Sequence, residues 1–239
     1  MPTAFAPFDL RQVPVLLRGE PEPIHAWIEH WSMQRVCFHV AVICGGAGLF
    51  GASVGWWRAP LQAFYTGVKL PLIILLTTFG NALLNGMLAP LLGLNLRFRQ
   101  VSLAILMSFA IASTILGAFS PLMFFLEWNA PPMSSSASER AAAHSLILVT
   151  QVLVIAFAGV AANLRLLQLL RRASGSTAAA TKVLLAWLAG NLVLGSQLAW
   201  ILRPFIGSPT LPLQFLRPDA LQGNFYEVFL SALKRVLFG

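Results

Sequence analysis

Five stretches of this chain contain no Lys, Arg, Asp or Glu: Val36–Trp57, Leu70–Gly93, Val101–Leu126, Ser145–Leu164 and Val183–Leu202. Each has about 20 residues or more, and at roughly 1.5 Å rise per residue a helix of that length crosses a hydrocarbon core of about 30 Å. In lipid only helices or closed barrels satisfy their own backbone groups, and these runs lack the period-two alternation of barrel strands. The expected fold is an all-α integral membrane protein of about five transmembrane helices, with amphipathic interfacial helices near both termini. A hydrophobic content of 57% with only 10% charged residues fits this class, since soluble domains carry about 25% charged residues. The uncharged interiors also weigh against a pump or proton relay, which keeps ionisable groups in the membrane.

The 239 residues then divide into an N-terminal segment 1–35, a five-span domain 36–202 and a C-terminal part 203–239. The net charge of +8 does not point to nucleic acid. The cations flank the apolar runs, where the positive-inside rule and anionic headgroups account for them. With the N-terminus in the cytoplasm, the inner segments hold Arg11, Arg18, Arg35, Arg97, Arg99, Arg165, Arg171, Arg172 and Lys182. The first two outer loops hold only Arg58, Lys69 and Arg140, and the C-terminal part adds Arg203, Arg217, Lys234 and Arg235 outside. The expected setting is an inner or plasma membrane, crossed several times from a cytoplasmic N-terminus. The first run starts at Val36 and is too long for a signal-peptide core, so it reads as an uncleaved signal anchor. Cys37 and Cys44 lie on one helix face about 10 Å apart, too far for a disulfide, and are expected as buried small apolar residues.

After Pro21-Glu22-Pro23, residues Ile24, Trp27, Ile28 and Trp31 form an apolar stripe suited to the headgroup plane. Asn129–His144, with Pro131-Pro132 and Ser134-Ser135-Ser136, reads as a flexible polar loop. Ile201–Leu221 is different. Pro204, Pro209, Pro212 and Pro218 forbid a continuous helix, yet Phe205, Ile206, Leu211, Leu213, Phe215 and Leu216 resist exposure to water. It is expected to be ordered, either packed across the mouth of the bundle or docked on another protein. Asn224–Phe238 reads as a short amphipathic helix, too short to span.

Small residues recur every four positions within the spans: Gly51 and Gly55, Ala104, Ser108 and Ala112, Ser113 and Gly117, Ala158 and Ala162. Such spacing lets helix backbones approach closely, within the chain or between subunits of an oligomer. With Phe205, Ile206, Phe215 and Leu216, the first three sets are the candidate partner-interface residues. Asn81 and Asn85 in the second run, and Asn191 and Gln197 in the fifth, are the polar intramembrane candidates, either gluing helices together or lining a polar path. Pro71 and Pro90 flank the second run, which reads as a span open to kinking.

His39 and His144 fall at opposite depths, which argues against a bis-histidine haem. His25, Glu29 and His30 match no metal motif. Glu127 and Glu139 read as carboxylates of one solvated loop. No phosphate loop or nucleophile elbow is present, so no catalytic residue, metal or cofactor is assigned and enzymatic function is not expected.

Residues 57–125 carry a Trp57-Arg58-x-Pro60 opening, a span ending in Leu91-Leu92-Gly93, a short Arg97-Phe98-Arg99-Gln100 link and a span finishing near Ser120-Pro121. This stretch resembles the membrane domain of the Yip family. The resemblance implies a five-span protein that binds and organises partners without catalysis. The function expected is therefore a non-catalytic subunit or scaffold of a membrane complex, in contact with the lipid bilayer and with other subunits or copies of itself. A permease component using the amides of the second and fifth spans is the first alternative. A pigment- or lipid-cofactor-binding subunit is the second.

Overall fold

The computed structural model describes residues 12–18, 31–93, 96–174, 176–208 and 210–238. Their helices are α1 (Gln12–Arg18), α2 (Met33–Gly55), α3 (Pro60–Leu91), α4 (Phe98–Trp128), α5 (Ala137–Ser174), α6 (Thr177–Ile201) and α7 (Phe225–Phe238). The helices α2, α3, α4, the stretch Ala137–Gln168 of α5, and α6 are long and apolar enough to cross a membrane. The protein is thus a polytopic all-α membrane protein. The stripe from Ile24 to Ile28 lies outside the described residues, and Trp31 is not helical.

Local chemistry sets the helix boundaries. Pro60 opens α3, where its fixed φ suits the first turn and its missing N–H is no loss. The helix then runs unbroken through Pro71 to Leu91. The loop expected over Asn129–His144 ends at Ser136, because Ser136 and Glu139 form a capping box. Ser136 Oγ donates to Glu139 Oε2 at 2.7 Å, and the Ser136 N–H reaches the same oxygen at 3.0 Å. Helix α5 therefore starts at Ala137 and carries His144. Asn224 caps the start of α7: the Glu227 N–H donates to Asn224 Oδ1 at 3.0 Å, and Asn224 Nδ2 donates to Glu227 Oε1 at 2.8 Å.

Helix α2 is the hub, packed against α3 and α4, while α5 covers α4 and α6 lies between α3 and α5. Glycines make these crossings close. A Cβ on Gly46 would strike the backbone of Ser113, and one on Gly51 would strike the backbone of Thr66. At Gly55 it would fall 2.6 Å from the Gln62 carbonyl oxygen. Gly117 faces Gly46 across the same α2–α4 crossing. The outward side of α3 is one continuous apolar stripe (Leu61, Phe64, Val68, Leu72, Leu76, Phe79, Leu83), as lipid requires. The cysteines also depart from expectation. Cys37 and Cys44 are free and exposed on α2, because Phe38, Ile43 and Ala47 take the inward face between them.

Candidate functional site

Helices α2 to α6 alternate in direction, so the two helix-to-helix turns at 56–59 and 129–136 and the segment 202–224 share one face of the bundle. The site lies on this C-terminal face and begins with the first third of α3. Gln62, Thr66 and Lys69 are spaced i, i+4, i+7, which stacks them on one side of the helix. That side faces inward: all three are 0% exposed.

Lys69 was expected in an outer loop. It sits instead nine residues into α3, about 14 Å from the helix start at roughly 1.5 Å per residue. The second uncharged run begins at Leu70, immediately after this lysine. A lysine at that depth ordinarily snorkels to water; here Pro204, Phe205 and Phe215 come to it. Lys69 Nζ donates to the Pro204 carbonyl oxygen at 3.0 Å and lies 4.9 Å from the centre of the Phe215 ring and 6.0 Å from that of Phe205. A carbonyl and two ring faces thus stabilise the ammonium in place of a carboxylate.

The neighbouring side chains fasten the same segment. Gln62 Nε2 donates to the carbonyl oxygens of Pro204 and Phe205 at 2.9 and 2.7 Å, and Thr66 Oγ1 donates to the latter at 2.5 Å. Arg58 Nε donates to the Ser208 carbonyl at 3.0 Å. Proline explains why carbonyls are available: a proline-broken segment has no helical ladder to engage them. Ile206, 3% exposed, fills the bundle mouth among Phe50, Val54 and Leu70. Arg203 closes the far end of the segment, donating to the carbonyls of Trp200, Ala220, Asp219 and Gln222 and pairing with the Asp219 carboxylate at 3.2 Å. The segment packs across the mouth of the bundle, one of the two arrangements expected for it.

A second fastening lies beside it. Glu127, expected in a solvated loop, is buried in the last turn of α4, because the turn after α2 folds over it. The Trp57 N–H donates to Glu127 Oε2 at 2.7 Å, the Trp57 indole donates to the Pro131 carbonyl at 2.9 Å, and the indole lies 6.4 Å from the His144 ring.

The amides of the spans meet where α3 crosses α6. Asn81 Nδ2 donates to Asn191 Oδ1, and Asn85 Nδ2 donates to Asn81 Oδ1 at 2.9 Å. Gly190 lets the helices close here, since a side chain at that position would strike the Asn81 amide. Gln197 is not part of this cluster and lies exposed near the end of α6. An interhelical amide pair in a membrane protein contributes about 0.6 to 1.7 kcal/mol. A double-mutant cycle of Asn81→Leu and Asn191→Leu in reversible unfolding should give a coupling in that range; a coupling near zero would remove the pair as a fastener.

The remaining sequence candidates fall mainly on internal contacts. Gly51 and Gly55 meet α3, Ser113 and Gly117 meet α2, and Ala104 and Ser108 are buried, with Ala112 half-buried. Phe205 is half-buried beneath the segment; Phe215 and Leu216, 38% and 49% exposed, keep an outward side. Sequence reasoning missed Gln62, Thr66 and Lys69, although their i, i+4, i+7 spacing ahead of an apolar run was there to be read. Comparison with protein-family models, with curated proteins and with solved structures finds no match to this chain.

Proposed function

We propose that the protein is a non-catalytic subunit or scaffold of a membrane complex, with its N-terminus in the cytoplasm. One observation carries this reading: Asn81, Lys69 and Glu127, all buried in the bundle, are each hydrogen-bonded to a distant part of the same chain. Asn81 holds Asn191, Lys69 holds Pro204 and Glu127 holds Trp57. Groups spent as fasteners rigidify a frame and are poorly placed to pass a solute. The resemblance of residues 57–125 to the Yip membrane domain leads to the same expectation.

The surface left for a partner is the outer side of the C-terminal segment. There Leu211, Phe215, Leu216 and Leu221 stand exposed over the inward anchors Phe205 and Ile206. The test is purification in mild detergent. A second polypeptide, at fixed stoichiometry and lost in a Leu216→Glu, Leu221→Glu variant that still folds, is the expected result. A homogeneous preparation of one unaccompanied chain would count against the proposal.

The permease reading keeps one observation in its favour. Asn85 Oδ1 and Thr77 Oγ1 are buried near the α3–α6 crossing without a hydrogen-bond partner among the described residues. It predicts that a transported solute raises thermal stability, and that the gain is lost in an Asn81→Leu, Asn85→Leu double variant.

A further inference from the structure

The uncharged stretch Ser145–Leu164 ends immediately before Arg165, and α5 continues past it to Ser174. Because α5 starts on the C-terminal face, this end of it lies on the opposite face of the bundle. A stretch of about 20 residues at roughly 1.5 Å each covers a hydrocarbon core of about 30 Å, which puts Arg165 at its boundary and Arg171 about 9 Å further out.

An open cavity of about 430 Å³ lies along this part of α5, lined by Ala161, Leu164, Arg165, Leu167, Gln168 and Arg171. Ligand sites commonly hold about 300–1,000 Å³, so a lipid headgroup fits the space. Ala161, Leu164, Arg165 and Gln168 are spaced i, i+3, i+4, i+7, and Arg171 follows three residues later, which keeps them on one side of the helix. Polarity along that side changes with depth. Ala161 and Leu164 belong to the uncharged stretch, while Arg165, Gln168 and Arg171 stand at and beyond its end. A phospholipid carries the same order, acyl chain first and phosphate above it.

The charges in the cavity are left without an acid. Arg165 and Arg171 are both exposed. Arg165 Nη1 donates to Gln168 Oε1 at 3.4 Å, a long contact that leaves the rest of its fork and the Gln168 amide N–H groups available. Arg171 makes no hydrogen bond or ion pair among the described residues. The described carboxylates Glu127, Glu139, Asp219 and Glu227 belong to the other face, in the last turn of α4, the first turns of α5 and α7, and the segment 202–224. Arginine's planar fork suits a pair of phosphate oxygens, and basic pockets beside membrane spans hold anionic headgroups.

We infer that this cavity binds an anionic phospholipid, with Arg165, Gln168 and Arg171 donating to the phosphate and Ala161 and Leu164 lying against an acyl chain. None of these residues belongs to the surface offered to a protein partner, so the site stands apart from that reading.

The test uses the full chain in phosphatidylcholine nanodiscs, into which phosphatidylglycerol is titrated, with inorganic phosphate as competitor. Native mass spectrometry reads the lipid retained by the natural chain, Arg165→Gln, Arg171→Gln and Lys234→Gln, the last removing a positive charge from the other face. The site predicts that phosphatidylglycerol is retained over phosphatidylcholine and that each arginine variant weakens this about tenfold. Lys234→Gln should leave retention unchanged, and inorganic phosphate should not displace the lipid. Absence of retained phosphatidylglycerol, equal retention in all four chains, or an equal loss in Lys234→Gln overturns the inference, because no headgroup would then be held by these arginines in particular. Displacement by inorganic phosphate overturns the assignment to a lipid. Thermal melting in pure phosphatidylcholine guards against a structural effect. The arginine variants should melt with the natural chain, and a lower melting temperature there would make the arginines structural and also overturn the site.

Discussion

Replacing Gly46 with valine should open the bundle at its centre. Gly46 sits where α2 crosses α4, and any Cβ there meets the backbone of Ser113, which no rotamer change can move aside. Only separation of the helices can relieve the clash, and that separation also loosens the contact between Gly46 and Gly117. Overpacking of this kind costs about 1–3 kcal/mol where side chains can adjust. With backbone on both sides the expected loss is at the upper end, about 3 kcal/mol. Gly45 is the matched control. It precedes Gly46 on the same helix with nothing within 4 Å of a built Cβ. Gly45→Val therefore carries the same change in helix propensity without the clash. Unfolding of both variants in detergent, followed by circular dichroism, should show Gly46→Val far less stable and Gly45→Val close to the natural chain. Equal effects at the two positions would mean that the α2–α4 crossing does not hold the fold.

The second large effect concerns the segment that covers the mouth. Deleting Pro204–Gly239 should still allow the five spans to insert, because insertion depends on their own hydrophobicity. The truncated bundle should nevertheless be much weaker. Lys69 loses the Pro204 carbonyl and both phenylalanine rings, and Gln62 and Thr66 lose their acceptors in the segment, keeping only those within α3. A buried charge deprived of its partner costs about 3–5 kcal/mol, less whatever the lysine regains by reaching water. The account therefore makes a paired claim: Lys69→Met in the truncated chain should restore part of the lost stability, whereas in the full chain it should be near neutral. An apolar side chain of similar length in a dry site removes the need for a partner. If Lys69→Met gives no rescue, the lysine is not what the segment protects.

Much of this architecture is legible in the sequence, for a physical reason. Lipid tolerates few ways to bury a backbone, so long uncharged runs leave little choice of element. The break at Pro204 and the apolar content of Phe205 and Ile206 likewise announce an ordered, non-helical cover, and the mouth of the bundle is where the cover lies. The site itself is less legible. The function of Lys69 depends on Pro204, a residue 135 positions away, and no local pattern states that pairing. The same holds for Glu127, whose partner Trp57 lies 70 residues upstream. The glycine spacings mark close helix contacts without naming the contacting helix. Gly51 and Gly55 look alike whether they face another subunit or, as here, Thr66 and Gln62 of the same chain. Local patterns read one helix at a time, and the fastenings of this protein join helices that are far apart in sequence.

The central claim is that this bundle is a rigid frame which presents the outer side of its C-terminal segment to another membrane subunit. Native mass spectrometry of the intact protein, released into the gas phase directly from the membranes of the cells that make it, tests that claim most directly. The account predicts a mass above that of one chain with its lipids, resolving into this chain and a stoichiometric protein partner. It predicts that the Leu216→Glu, Leu221→Glu variant dissociates from that partner without unfolding. A spectrum holding only single chains and lipid, identical for the natural protein and the variant, would contradict it.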